Sequence, residues 1–466
     1  MITNTIKSKL TNKKVFPRGV HPHDFKEQTR DRAIEAVPWP KEVVIPFQQH
    51  IGAPAQPTVK PRQEVKRGEV IGTAGGFVSA PVHASVDGKT GPLTTVLTPV
   101  GTRVSAVPVQ TAEISQEQLE QDLKDFLQPQ GPVKPADLIE PEAIVKAAAE
   151  AGLVGMGGAT FPTHVKLKVS PERKIDTVVL NGSECEPYLT ADDRLMREAS
   201  GTVVRGLMLA MRAVGAPRGV IAIEDNKPEA IAAMRQAAAG YPSVEVAVCA
   251  AKYPMGGERQ LIPAVLNRVI PTGGLPLDVG VVVVNVATSL ALAHAVDRSR
   301  PAITRVLTLT GAVHRPGNYY VAIGTPLSHV IEHAGGLKDD AAEVILGGPM
   351  MGVTMPDLST PVTKGTSGIT VLTRDQVVRR QETACIRCGR CVDHCPLKLM
   401  PTKISQAVKH RDLELAKAYD LMACCECGCC SYVCPAGIPV VQYIKSGKAA
   451  EMRRRAREKA EAAKKA

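Results

Sequence analysis

The chain of 466 residues carries 57 Lys and Arg against 46 Asp and Glu, a net charge of +11, and has 39 glycines and 36 prolines against only 3% aromatic residues. That length provides for three or four domains, each with its own core, and the glycine and proline content predicts many turns and small-residue packing. Ten of the twelve cysteines fall between Cys385 and Cys434, which argues against a disulfide framework and for metal in a reducing compartment.

Met1 to Lys14 is charged with no apolar stretch behind it, unlike a secretory signal. The most apolar run, Val279 to Ala287, is far shorter than the roughly 20 residues a membrane-spanning helix needs. The expectation is a soluble or peripheral protein on the cytoplasmic side. Residues 1–40 are polar and irregular and read as an extended arm that docks on the body or on a neighbour; His21 and His23, in proline-rich surroundings, read as surface residues. From Glu42 to Val109, short apolar alternations separated by turn residues (VVIPF, VKRGEVIG, SAPVHASVDG) read as strand–turn–strand units. These resemble the turns of lipoyl-type, barrel-sandwich domains. His83 to Asp87 reads HASVD, with no lysine at the lipoyl position, so a structural or docking role is expected. Ile114, Leu119, Leu123, Phe126 and Leu127 predict a helix over 113–130, and Pro141 to Ala151 a second one stopped by Gly152.

The next stretch, Gly152 to Leu167, reads GLVGMGGATFPTHVKL. Successive glycines let backbone N–H groups turn inward to cradle a phosphate, and Lys166 adds a point charge. It is not the Rossmann fingerprint, because Thr160 stands where a third glycine would fall and a helix precedes the run; taken alone, a glycine turn needed only for packing fits equally well. A predicted strand, Asp176 to Leu180, then leads into Asn181 to Tyr188, NGSECEPY. Segments 201–214, 219–224, 228–239, 244–248 and 281–286 alternate helix and strand, which predicts an α/β layer with a largely parallel sheet. Thr304 to Gly352 reads as a small β-rich unit with a helix over Pro326 to Ala334.

Two runs follow, CIRCGRCVDHCP at Cys385–Pro396 and CCECGCCSYVCP at Cys424–Pro435. Each is C-x2-C-x2-C-x3-C-P, the pattern of a module holding two [4Fe-4S] clusters, in which the fourth cysteine crosses to the other cluster. One cluster is therefore assigned to Cys385, Cys388, Cys391 and Cys434, the other to Cys424, Cys427, Cys430 and Cys395. Cys425 and Cys429 break the register and are expected to point away. Structural zinc usually takes two separated C-x2-C pairs, a poorer match. Pro401 to Met422 predicts antiparallel helices that bring the runs side by side. The segment Val441 to Ala466 carries six of the eleven net positive charges; an anionic membrane surface, an acidic protein or a merely solvated helix all fit such a tail.

GMGGATFPTHVKL followed by NGSECEPYLTADDRLM resembles the flavin-binding core of the NADH-oxidising subunit of respiratory complex I and, more closely, the RnfC subunit of the Rnf ion-translocating oxidoreductases. Tyr253 to Gln260 (YPMGGERQ) and Val284 to Thr288 (VNVAT) resemble later flavin-site motifs of the same families. The resemblance implies a multidomain α/β and α+β chain: an arm (1–40), a barrel-sandwich-like domain (41–110), an FMN/NADH α/β domain (111–300), a β-grasp-like soluble-ligand-binding domain (301–372), a two-cluster ferredoxin-like domain (373–446) and a basic helix (447–466). It implies that Gly155, Gly157, Gly158 and Lys166 hold the FMN phosphate and ribityl chain, and that Asn181, Asn285 and Thr288 bond flavin oxygens. Glu184 and Glu186 would line the nicotinamide side as the catalytic pair, with Tyr188 or Phe161 as a stacking surface. Cys185 is taken as a small buried residue and Cys249 as core. The implied function is NAD(H)–FMN–cluster electron transfer at the cytoplasmic face of the cell membrane, with membrane-embedded and ferredoxin-like subunits as partners and no nucleic acid. The alternative is a soluble flavin/iron–sulfur oxidoreductase such as a cobalamin reductase-like enzyme.

Overall fold

The computed structural model describes residues 13–98, 101–170, 172–377 and 381–465. They form two compact units: one of the described residues within 23–251 and 276–377, the other of residues 13–22, 252–275 and 381–465.

The larger unit contains three sheet systems. Glu42–Pro46, Arg103–Thr111, Gly88–Thr90 and Glu64–Val65 pair in that order, with Thr94–Leu97 also on Arg103–Thr111, and a second sheet joins Gln56–Pro57, Val70–Thr73 and Val82–His83. Their alternating apolar residues, among them Val43, Ile45, Ile71, Val82, Val107 and Val109, close one core, as a period-2 pattern with one inward face requires. The predicted helices stand at Gln116–Leu127 and Pro141–Glu150. Ser115 caps the first through a reciprocal bond with Gln118.

The central layer is a four-stranded parallel sheet ordered Val244–Cys249, Arg218–Glu224, Thr177–Gly182, Val281–Asn285. The two inner strands are almost continuously buried, and the helices Ser200–Val214 and Val286–Arg298 pack together on one face of the sheet against Val178, Leu180, Ile221 and Val284. In such a sheet, ligands are received at the carboxyl ends of the strands. The third system is a six-stranded mixed sheet that includes Thr304–Gly311, Gly317–Ala322 and Gly368–Thr373, carries the helix Leu327–His333, and takes Ile34–Ala36 of the predicted arm as a parallel edge strand.

In the smaller unit, short helices Arg390–Asp393 and Cys429–Tyr432 follow the cysteine turns, and Pro401–Lys409, Leu413–Ala418 and Val440–Lys465 surround them. Ile404, Ala416, Leu421, Val441 and Ile444 form its core. Among the described residues no helix is long and apolar enough to cross a membrane.

Candidate functional site

In the larger unit, the glycine-rich run forms a tight excursion after the helix Pro141–Glu150. Gly155 N–H donates to the Phe161 carbonyl (2.8 Å) and Thr160 N–H to the Gly155 carbonyl (3.0 Å), so residues 156–159 are held at the tip. Met156 is buried and anchors the tip from both sides: its N–H donates to Thr288 Oγ1 (2.8 Å) and its carbonyl accepts from Arg305 Nη2 (2.7 Å). Gly157 and Gly158 are exposed. A Cβ on Gly157 would come within 3.2 Å of Asn285, while Gly158 has open space around it but a φ of +105°. The first glycine is thus favoured by the close approach of Asn285 and the second by conformation.

Two strand ends supply the facing residues. Asn285 ends Val281–Asn285 and caps the following helix, its Oδ1 accepting from Ala287 and Thr288 N–H (3.0 and 3.3 Å). Its Nδ2 donates to Asp192 Oδ2 (2.6 Å). Asn181, at the end of Thr177–Gly182, accepts from Ser183 N–H (3.2 Å). Lys166 Nζ donates to the Val283 carbonyl (3.0 Å), which ties the short helix Thr163–Leu167 to the strand Val281–Asn285.

The loop after Asn181 carries the two predicted glutamates. Glu184 lies at φ +44° and accepts from the N–H groups of Asp192 (2.7 Å) and Asp193 (3.2 Å), so it caps the helix Ala191–Glu198. Glu186 accepts from Met350 and Met351 N–H (3.1 and 2.9 Å). Tyr188 is buried and stacks on Phe25 at 4.7 Å, whereas Phe161 is half-buried. Cys185 is only half-buried, more open than the buried residue expected, and Cys249 lies in the core.

Sequence reasoning missed three residues of this site, Asp192, Asp193 and Arg305. Burial, with the nearby charge of Glu184, raises Asp192 to about 7 and Asp193 to about 6. Arg305 opposes both effects at Asp192; it is 2% exposed, and its Nη1 is buried without a partner among the described residues. The signals were present: two adjacent acids at the start of a helix, and an arginine inside the otherwise uncharged strand TRVLTLTG. A small cradle beside hydrogen-bonding Asn285 and an orphaned buried guanidinium N–H behind the glycine tip suit an anionic, ring-bearing group such as FMN.

In the smaller unit, the cysteine runs adopt one conformation twice, 39 residues apart. Arg387 and Glu426 lie at φ +55° and +60°, Gly389 and Gly428 at +75° and +80°, and Lys398 and Gly437 at +58° and +63°. Cys395 N–H donates to the Val392 carbonyl, and Cys434 N–H to the Ser431 carbonyl, both at 3.2 Å. An apolar cavity is lined by Cys395 together with Cys424, Cys427 and Cys430, the four assigned to one cluster. Burial pushes Cys424 up to about 11 and Cys430 to about 12, values that iron overcomes by taking the thiolates. Cys385, Cys391 and Cys434 are half-buried and Cys388 is exposed. The two off-register thiols do not both turn away as expected: Cys425, exposed, and Cys429, wholly buried, line the same cavity, because the tight turn of the run leaves its neighbours beside the ligand positions. An all-thiol donor set in this spacing, free of disulfides, suits two [4Fe-4S] clusters.

The YPMGGERQ segment, read from sequence with the flavin motifs, belongs to the cysteine unit. Tyr253 is buried there and donates to the Cys427 carbonyl (2.8 Å), and its backbone bridges to Val20.

Four family models match successive parts of the chain: an RnfC barrel sandwich hybrid domain (14–113), a Nuo51 FMN-binding domain (148–294), an SLBB domain (306–354) and a 4Fe-4S dicluster domain (377–435). The C component of the proton-translocating ferredoxin:NAD(+) oxidoreductase complex of Clostridium ljungdahlii is 43% identical over 96% of this chain and 96% of its own length. The Na(+)-translocating counterpart from Acetobacterium woodii is 43% identical over 84% and 86%, and the C component of the ion-translocating oxidoreductase complex of Rhodobacter capsulatus is 40% identical over 92% and 82%. With identity of this level along nearly the whole chain, and a matching domain order, the protein belongs to the RnfC family, the C components of ion-translocating ferredoxin:NAD(+) oxidoreductase complexes.

Proposed function

We propose that the chain is the peripheral electron-transfer subunit of such a complex, exchanging electrons between NAD(H), FMN and two [4Fe-4S] clusters and passing them to membrane-embedded and ferredoxin-like subunits at the cytoplasmic face. The observation that carries this reading is the doubled cysteine turn in one chain with the glycine tip and its facing Asn285. When bound, flavin exchanges two electrons with a nicotinamide and single electrons with clusters.

The residues divide the work. Gly155, Gly157 and Gly158 would present backbone N–H groups, with Lys166 adding positive charge, to the FMN phosphate and ribityl chain; Asn181, Asn285 and Thr288 would orient the flavin oxygens. Glu184 and Glu186 would flank the nicotinamide side. Both carboxylates are tied to backbone N–H groups, so they act as fixed negative charge near a cationic nicotinamide, and no proton transfer is assigned to them. Cys385, Cys388, Cys391 and Cys434 would hold one cluster and Cys424, Cys427, Cys430 and Cys395 the other. Family membership disfavours the soluble cobalamin reductase-like alternative.

An anaerobic NADH titration of the purified chain tests the reading. Bleaching of a flavin band followed by the broad iron–sulfur band is expected. Clusters that answer only to a stronger reductant, in a chain without flavin, would overturn it.

A further inference from the structure

The predicted arm does more than dock. Residues 23–32 run behind the acidic loop 183–190, and Lys26, 4% exposed, reaches into its concave side. Its Nζ donates to the carbonyls of Glu184 (3.0 Å), Glu186 (3.1 Å) and Leu189. An ammonium has three N–H donors, and all three are spent on this loop. Asp24 and Phe25 add two further holds: the Asp24 carbonyl accepts from Tyr188 N–H (2.7 Å), and the Phe25 ring stacks on Tyr188 at an interplanar angle of 13°.

The loop needs such support. Glu184 and Tyr188 lie at φ +44° and +72°, a region that side-chain-bearing residues rarely adopt. The same loop places the Glu184 carboxylate on the N–H groups of Asp192 and Asp193, and Asp192 in turn accepts from Asn285. Glu184 is thus linked through two hydrogen bonds to Asn285.

We propose that Lys26 is a positioning residue of the nicotinamide side, fixing the loop that carries Glu184 and Glu186 by gripping three of its carbonyls at one point. The proposal rests on the reading above for what the loop serves. A methionine of similar length would remove the donor from one buried and two half-buried carbonyls. An arginine keeps the charge, but its planar fork does not converge on one point.

The test uses the full chain with its cofactors and compares wild type with Lys26→Met, Lys26→Arg and Phe25→Ala. Hydrogen exchange of the loop peptide and stopped-flow bleaching of flavin by NADH are followed, with flavin and iron content measured on each sample. Lys26→Met is expected to speed exchange of loop amides by about tenfold or more and to raise the NADH concentration for half-maximal bleaching by a similar factor. Flavin and iron should stay at wild-type levels. Lys26→Arg should behave as Lys26→Met does, and Phe25→Ala should show about a threefold effect. If Lys26→Met fails to fold, Lys26→Arg and Phe25→Ala decide by the same two readouts. Wild-type loop exchange in the Lys26 variants, full rescue by arginine, or loss of flavin and iron together with faster exchange everywhere would overturn the proposal. Should NADH fail to bleach the wild-type flavin, the nicotinamide reading falls, and loop exchange still decides whether Lys26 holds the loop.

Discussion

The two cysteine runs share a backbone and differ in their surroundings. Their left-handed residues, short helices and closing hydrogen bonds superpose position for position, because these follow from the local C-x2-C-x2-C-x3-C-P sequence. Yet Cys427 and Cys430 are buried at 8% and 6% exposure, while Cys388 is open to solvent beside Ile386, 67% exposed. The second run is covered by Tyr253, by Val441 and Ile444 at the start of the last helix, and by Lys448, which donates to the Cys424 carbonyl (2.9 Å) and pairs with Glu426. The arm meets the first run through polar contacts, Arg18 donating to the Val392 carbonyl and Gly19 N–H to that of His394, while Cys395 at its end enters the apolar cavity. Ligand geometry is thus a local property and cluster environment a distant one, and exposure is among the factors that set a cluster's potential.

The largest expected effect comes from the ligands themselves. On the proposed assignment of one cluster to each set, Cys388→Ser and Cys427→Ser should each remove about half the iron and acid-labile sulfide, but only Cys427→Ser should also lower the thermal midpoint by several degrees, because its thiol is buried. Equal loss of midpoint in both variants would erase the distinction between the runs.

Next in size are the turn glycines. Gly389→Ala and Gly428→Ala place a Cβ in the left-handed region and should cost about 1–2 kcal/mol each, read as lower urea midpoints for iron release. The two costs should agree despite the difference in burial; a marked inequality would mean that the backbone likeness is not a likeness of strain.

Tyr253→Phe removes the hydroxyl bond to the Cys427 carbonyl, worth about 1 kcal/mol. In a potentiometric titration followed by electron paramagnetic resonance, one of the two cluster potentials should move and the other stay. The moving signal should be the one that Cys427→Ser abolishes. Smallest of all is Ile386→Ser: an exposed side chain with this little packing should change stability by no more than about 0.5 kcal/mol, with both clusters retained, as iron analysis and a melting curve would show.

Much of this molecule was legible in its sequence because the informative residues are close together. The helices near 116 and 141, the parallel strands of the central sheet and the cysteine turns all follow from short-range pattern. The glycine run was legible as a turn, though not for its reasons: Gly157 is closely approached by Asn285, more than a hundred residues away. Tyr253 was read with the flavin motifs but bonds to a cysteine turn, since nothing in a tyrosine's neighbours in sequence says which carbonyl its hydroxyl meets. The arm was least legible, because polar residues without periodicity look alike whether they are solvated or spent on buried carbonyls.

The sequence by itself determined where metal-binding turns, a glycine tip and an acidic loop would occur, because spacing, left-handed glycines and helix caps act within a few residues. Only the tertiary structure decided which thiols are dry, that Arg305 and Asp192 share the site with Asn285, and that Lys26 grips the acidic loop from behind. Burial and convergent hydrogen bonds are properties of segments far apart in the chain, and they come into being only when those segments pack.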